Sequence, residues 1–192
     1  MEMVISILAA AVRSGTPILF ATLGEIIIEK SGILNLGLEG IMLIGALTGF
    51  SVSLASGNPW LGIIAAFILG AFITLIHGFI SITLKGNQVV SGLAMTIFGT
   101  GVSSLIGKAF IGKTIPGLLK TPFPVLNRIP FIGPVFFNHD LMVYFSFFLV
   151  VFLSWFLIST RIGLNLRAVG DSPRAADAMG LNINRIRYLA VA

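Results

Sequence analysis

The sequence predicts an all-α fold: a polytopic transmembrane helix bundle with about five spans, the opening of a sixth, and a short helix in a basic loop. Three observations lead there. Hydrophobic residues make up 56% of the 192 residues and charged residues only 10%, whereas a soluble domain carries about 25% charged residues to face water. Five apolar segments each reach the roughly 20 residues that cross a bilayer. Turn chemistry separates them, at Lys30-Ser31-Gly32, Gly57-Asn58-Pro59 and Lys85-Gly86-Asn87.

The spans are read as Val4–Ile28, Leu38–Ser56, Trp60–Leu84, Val89–Gly107 and Leu141–Ser159, within one membrane domain covering residues 1–192. The first carries Arg13, Gly15 and Pro17, so it is expected to be broken, tilted or packed inside the bundle. The start has neither a basic n-region nor a small-residue cleavage site, which favours a retained helix over a signal peptide. Residues 108–140 hold five of the eight prolines (Pro116, Pro122, Pro124, Pro130 and Pro134). A continuous helix is unfavourable there, and the apolar residues between the prolines predict a structured extracytoplasmic loop, partly re-entrant.

With no cysteine, disulfides, thiolate metal sites and a cysteine nucleophile are excluded. The net charge of +5 reads as a marker of orientation in a membrane protein, not of nucleic acid. Arg161, Arg167, Arg174, Arg185 and Arg187 follow the fifth span and place loop 161–187 in the cytoplasm. Counting back puts Lys30 and Lys85 on that side; the N-terminus and the loop bearing Lys108, Lys113, Lys120 and Arg128 fall outside.

Small residues recur every fourth position: Gly45, Gly49 and Ser53; Ala66, Gly70, Thr74 and Gly78; Gly99, Ser103 and Gly107. Such faces let helix backbones approach closely in lipid. They describe packing; a pathway lining is the sharper alternative.

Residues 107–114 (GKAFIGKT) match the phosphate-binding pattern G-x-x-x-x-G-K-[ST]. That chemistry needs a preceding strand and a helix starting at the Lys. Here a membrane helix precedes, and Pro116 follows within the first turn, so the match is discarded. No catalytic constellation or metal motif is present. His77 reads as a neutral histidine bonded to a neighbouring helix, with a pathway role as the alternative. Glu39 reads as a structural partner of Lys30 or Arg13, with gating as the alternative.

The segment 168–180 (AVGDSPRAADAMG) is the most informative. Ser172 or Asp171 suits an N-cap, Pro173 the first helical position and Gly180 the stop. A helix of about seven residues does not stand alone in water. It either rests on the membrane surface or docks into a groove on a cytoplasmic partner.

Ala175-Ala176-x-x-x-Gly180 resembles the core of the coupling motif in permease subunits of bacterial ABC importers. Residues 32–40 (GILNLGLEG), 86–93 (GNQVVSGL) and 163–170 (GLNLRAVG) resemble one branch of that superfamily, the permeases for nucleosides, simple sugars and branched-chain amino acids. The likeness is strongest to nucleoside permeases that work with a basic-membrane-protein lipoprotein, and it extends from about Gly15 onward.

The resemblance implies a bacterial cytoplasmic-membrane subunit of an ATP-driven importer for a nucleoside or simple sugar. Its implied partners are an ABC ATPase subunit, a second permease subunit, an extracytoplasmic solute-binding lipoprotein and the lipid bilayer, with no nucleic acid. ATP hydrolysis would belong to the ATPase, and this chain would bind no cofactor and no metal. Coupling to the ATPase would fall to Gly170, Asp171, Ser172, Pro173, Arg174, Ala175, Ala176, Asp177 and Gly180. Asn35, Glu39, Asn87 and Gln88 match family positions near helix breaks, where polar residues either line the pathway or hold broken backbone together.

Two departures stand out. Arg174 occupies the place where the coupling motif usually begins with Glu. Family members also continue through further spans, so the chain reads as an N-terminal part. The rival readings are a secondary transporter or channel, which would need ionisable pairs deep in the spans, and a non-transporting, truncated membrane protein.

Overall fold

Apolar segments bounded by capping residues fold here as long helices. The computed structural model describes residues 1–122 and 126–192. Pro124 lies outside the described residues, as does the side chain of Arg128. The long helices are α1 (Glu2–Lys30), α2 (Leu38–Ser56), α3 (Pro59–Gly78), α4 (Gln88–Gly107) and, after the short α5 (Ile132–Phe136), α6 (Leu141–Ser159). A π-helical turn, Phe79–Thr83, extends α3. Three short helices follow: α7 (Arg161–Asp171), α8 (Pro173–Ala178) and α9 (Ile183–Val191). Five helices are long and apolar enough to cross a membrane, and they are the five the sequence predicts, with ends shifted by a few residues. Among the described residues there is no strand, only an isolated bridge between Lys120 and Asp140.

The starts follow the cap chemistry. Asn58 Oδ1 accepts from Trp60 N at 3.0 Å ahead of Pro59 at the first position of α3. Asn87 Oδ1 accepts from Val89 N and Val90 N at 3.0 and 3.2 Å. Asp140 Oδ1 caps α6, Thr160 Oγ1 caps α7 and Asn182 Oδ1 caps α9. Each side chain satisfies a backbone N–H that the first helical turn leaves without a partner.

The expected break in the first span does not occur. α1 runs unbroken through Pro17, whose ring leaves the Arg13 carbonyl without its usual i+4 donor. Nor is α1 packed inside the chain: few of its side chains are buried.

The chain divides into two compact units. One comprises Met1–Leu23 and Gly117–Trp155. In it the Pro-rich segment is structured at its C-terminal end. Thr121 N bonds the His139 carbonyl at 2.9 Å, and His139 Nε2 donates to the Val135 carbonyl at 2.7 Å. His139 N donates to Tyr144 Oη at 3.0 Å. Along α6, Phe145, Phe148, Phe152 and Trp155 form successive ring contacts at the three- and four-residue helical spacing.

The other unit comprises Gly24–Pro116 and Phe156–Ala192. Here α2 packs against α3 and α4. Small residues set the approach, though not all at the expected places. A Cβ on Gly62 would collide with Ser53 and the Gly49 carbonyl, and one on Gly99 with the backbone of Gly40. Gly45 and Gly107, predicted on such faces, meet nothing within 4 Å. The residues at 107–114 form the end of α4, a 3-10 turn at Lys108–Phe110, a turn at Ile111 and Gly112, and two residues without regular structure, so the strand and helix of a phosphate loop are both missing from this stretch.

Candidate functional site

The connection 31–37 (SGILNLG) between α1 and α2 has no regular structure, yet Ser31, Ile33, Asn35 and Gly37 are buried. Buried backbone must find partners, and side chains from distant parts of the chain supply them. Leu34 N donates to Gln88 Oε1 at 2.8 Å, and the Leu34 carbonyl accepts from His77 Nε2 at 3.1 Å. Asn35 N donates to Glu25 Oε1 at 3.2 Å. The Leu36 carbonyl accepts from Thr96 Oγ1 at 2.9 Å, and Gly37 N donates to Asn35 Oδ1 at 2.9 Å. Arg187 Nε donates to the Ser31 carbonyl at 3.2 Å. Partial burial lowers the pKa of that guanidinium from its ordinary value by desolvation.

His77 is fully buried. A carbonyl only accepts, so Nε2 carries a proton, and Nδ1 stands in hydrogen-bond contact with the Ser91 hydroxyl at 3.0 Å. The bonded-histidine reading of the sequence therefore matches the geometry. Of the polar residues singled out near helix breaks, Asn35, Asn87 and Gln88 all hold backbone. Glu39 differs. It is exposed in the first turn of α2, and it does not pair with Lys30 of the same compact unit; Arg13 belongs to the other unit. Its place at the helix N-terminus, where a carboxylate meets the positive end of the helix dipole, gives it a favourable site without a cationic partner. Sequence reasoning passed over Glu25, Thr96 and the contact made by Arg187. Glu25 was legible as a carboxylate inside an apolar span; the other two bonds join residues 60 and 156 positions apart, which local pattern does not reveal.

The second part of the site is the loop after α6. Residues Gly170 and Asp171, read as the lead-in to the short helix, instead end α7. Gly170 lies against α1: its Cα is beside Gly32, and a Cβ would collide with the Lys30 carbonyl. Ser172 stands at the N-cap of α8, and Pro173 at its first position, as predicted, but no side-chain capping bond forms. Ser172 N bonds the Ala168 carbonyl at 3.0 Å, so the residue closes α7 while opening α8. The far end is a full left-handed stop. Gly180 has φ +79°, Gly180 N bonds the Asp177 carbonyl at 2.8 Å, and Leu181 N bonds the Ala176 carbonyl at 3.0 Å. Only Ala176 of α8 is buried; Arg174, Ala175, Asp177, Ala178 and Met179 are exposed.

Over residues 7–192 the sequence matches the family described as branched-chain amino acid transport system / permease component. The chain belongs to that permease family. Among its relatives, the permease is 39% identical over its whole length to "Putative glucose ABC transporter permease protein TsgC13" of Haloferax volcanii. It is 35% identical over 96% of its length to the guanosine ABC transporter permease protein NupQ of Bacillus subtilis. A third relative, the nucleoside ABC transporter permease protein NupC of Lactococcus lactis subsp. cremoris, is 31% identical over 92%. The permease spans 59%, 62% and 59% of these relatives' own lengths, respectively. No solved structure matches it.

In the permease, two features thus lie in one compact unit: a buried connection pinned by side chains from α1, α3, α4 and α9, and an exposed short helix joined to it through α7. Among the described residues no group of His, Asp and Glu is placed to hold a metal ion.

Proposed function

We propose that this chain is the membrane-spanning part of an ATP-driven importer that moves a nucleoside or simple sugar delivered by an extracytoplasmic binding protein. Membership of the permease family and relatives named for glucose, guanosine and nucleoside transport support that solute class. A separate ATPase subunit hydrolyses ATP, and a second permease subunit completes the pathway.

The single observation that carries the coupling role is the exposure of α8. A six-residue helix is far below the length that persists alone in water. This one is closed by a complete C-terminal stop, anchored through Ala176, and turns Arg174, Ala175, Asp177 and Met179 outward. That is the form of a rigid knob for a protein groove. In this reading α8 faces the cytoplasm, in keeping with the arginines of loop 161–187. Motion of α8 passes through α7 to the contact of Gly170 with Lys30 and Gly32, and so to the pinned connection between α1 and α2. A secondary transporter would rely on ionisable pairs within the spans; His77 is instead bonded to backbone and a serine, and Glu25 to the backbone of Asn35.

Gly180→Val tests the reading. A Cβ at Gly180 meets no atom within 4 Å, so the substitution acts through the left-handed backbone, which disfavours an L side chain by about 1–2 kcal/mol. Membrane insertion should be unchanged. The ATPase recovered with the tagged permease should fall, by about tenfold for each 1.4 kcal/mol lost. Recovery equal to that of the parent would remove the support for coupling through α8.

A further inference from the structure

We propose that the permease holds an anionic phospholipid of the bilayer in a cleft where the ends of α1 and α6 meet α7 and α9. The cleft has a volume of about 140 Å³ and is lined by Ile27, Phe156, Ile162, Asn165, Leu166, Ile186, Leu189 and Ala190. All belong to the same compact unit. Asn165 supplies the only polar side chain in that lining, and no carboxylate is present.

Its depth follows from the spans. Ile27 lies in the last turn of α1, and Phe156 in the last turn of α6, so the cleft opens where two membrane-spanning helices end. α7 and α9 are amphipathic and too short to span, and in each one exposed arginine, Arg161 or Arg185, stands next in sequence to an aliphatic residue of the lining. Helices of that pattern lie in the membrane–water boundary. Ile162 and Leu189, both in the lining, are 68% and 72% exposed. Charged residues flank the lining in sequence. Arg161 adjoins Ile162 in α7 and Arg185 adjoins Ile186 in α9; both are exposed and stand about a quarter of a helical turn from the lining face.

One ligand answers both features. An acyl chain fills an aliphatic cleft, and a phosphate at headgroup level meets two guanidinium groups that bind it through paired hydrogen bonds. A zwitterionic lipid would satisfy the cleft but offset the charge. A protein helix laid there would bury the aliphatic residues without accounting for the flanking arginines.

The test is native mass spectrometry of the permease released from nanodiscs containing equal phosphatidylglycerol and phosphatidylcholine of the same acyl chains. Phosphatidylglycerol should be retained several-fold over phosphatidylcholine. The double variant Arg161→Gln/Arg185→Gln should lower that preference about 30-fold, as loss of two cations at an anionic surface implies, and leave phosphatidylcholine retention as it was. Ala190→Trp, which fills the cleft and keeps both arginines, should lower retention of both lipids. Equal retention of the two lipids by the parent would overturn the proposal. So would unchanged phosphatidylglycerol retention in both variants, or cross-links placing a second protein chain over Ile162 and Leu189.

Discussion

His77 and Leu34 are joined across 43 residues by a hydrogen bond of 3.1 Å, the ring Nε2 donating to the backbone carbonyl. The bond fastens the irregular connection between α1 and α2 to the end of α3, just before the helix widens into its π turn. π turns recur at functional places in helices, and here the widened turn brings Ser81 Oγ to 3.3 Å from the same ring nitrogen.

Replacing His77 with Leu should therefore destabilise the fold. It strands the part-buried Leu34 carbonyl and the buried Ser91 hydroxyl, at up to about 1–3 kcal/mol for each group left without a partner. Unfolding of the detergent-solubilised protein by SDS titration would show the shift. A midpoint equal to the parent's would mean that these bonds contribute nothing net.

Glu25 gives a second contrast. Glu25→Gln keeps an oxygen that accepts from Asn35 N, so its unfolding midpoint should stay near that of the parent. Glu25→Leu removes the acceptor and should lower stability by about 1–3 kcal/mol. The same titration separates the two, and equal midpoints for both variants would show that the Asn35 bond is not what Glu25 contributes.

The packing of α2 on α4 makes its own prediction. A Cβ at Gly99 would meet the backbone of Gly40, which has no side chain to turn aside. Gly99→Val should exceed the about 1–3 kcal/mol usual for overpacking and send the protein to aggregates in size-exclusion chromatography. Gly101→Ala, two positions along where a Cβ meets nothing within 4 Å, should elute as the parent does.

Asn87 caps α4 through two bonds from one oxygen. Asn87→Ala should cost about 1 kcal/mol and speed amide hydrogen exchange at Val89 and Val90 while leaving the middle of α4 protected. Uniform change along the helix would point to a different role for the residue.

The sequence by itself determined the fold class, the five spans and the ends of most helices. Those properties are local: about twenty apolar residues decide a span, and Asn58, Asn87, Pro173 and Gly180 act within one turn of where they stand. Tertiary structure alone decided the rest. Whether Pro17 breaks α1 depends on what the helix packs against; of the broken, tilted and packed alternatives, the break does not occur. Glu39 carried a family pattern, yet it lies exposed at a helix start, while Glu25, unremarked in its span, bonds the buried connection. Gly40 and Gly62 look no different from Gly45 in the chain, because a glycine's value in lipid depends on the backbone opposite it. The pinning of residues 31–37 by Gln88, His77, Thr96 and Arg187 arises between groups 43 to 156 residues apart. Hydrogen bonds of that separation exist only once the helices have packed, and no local pattern records them.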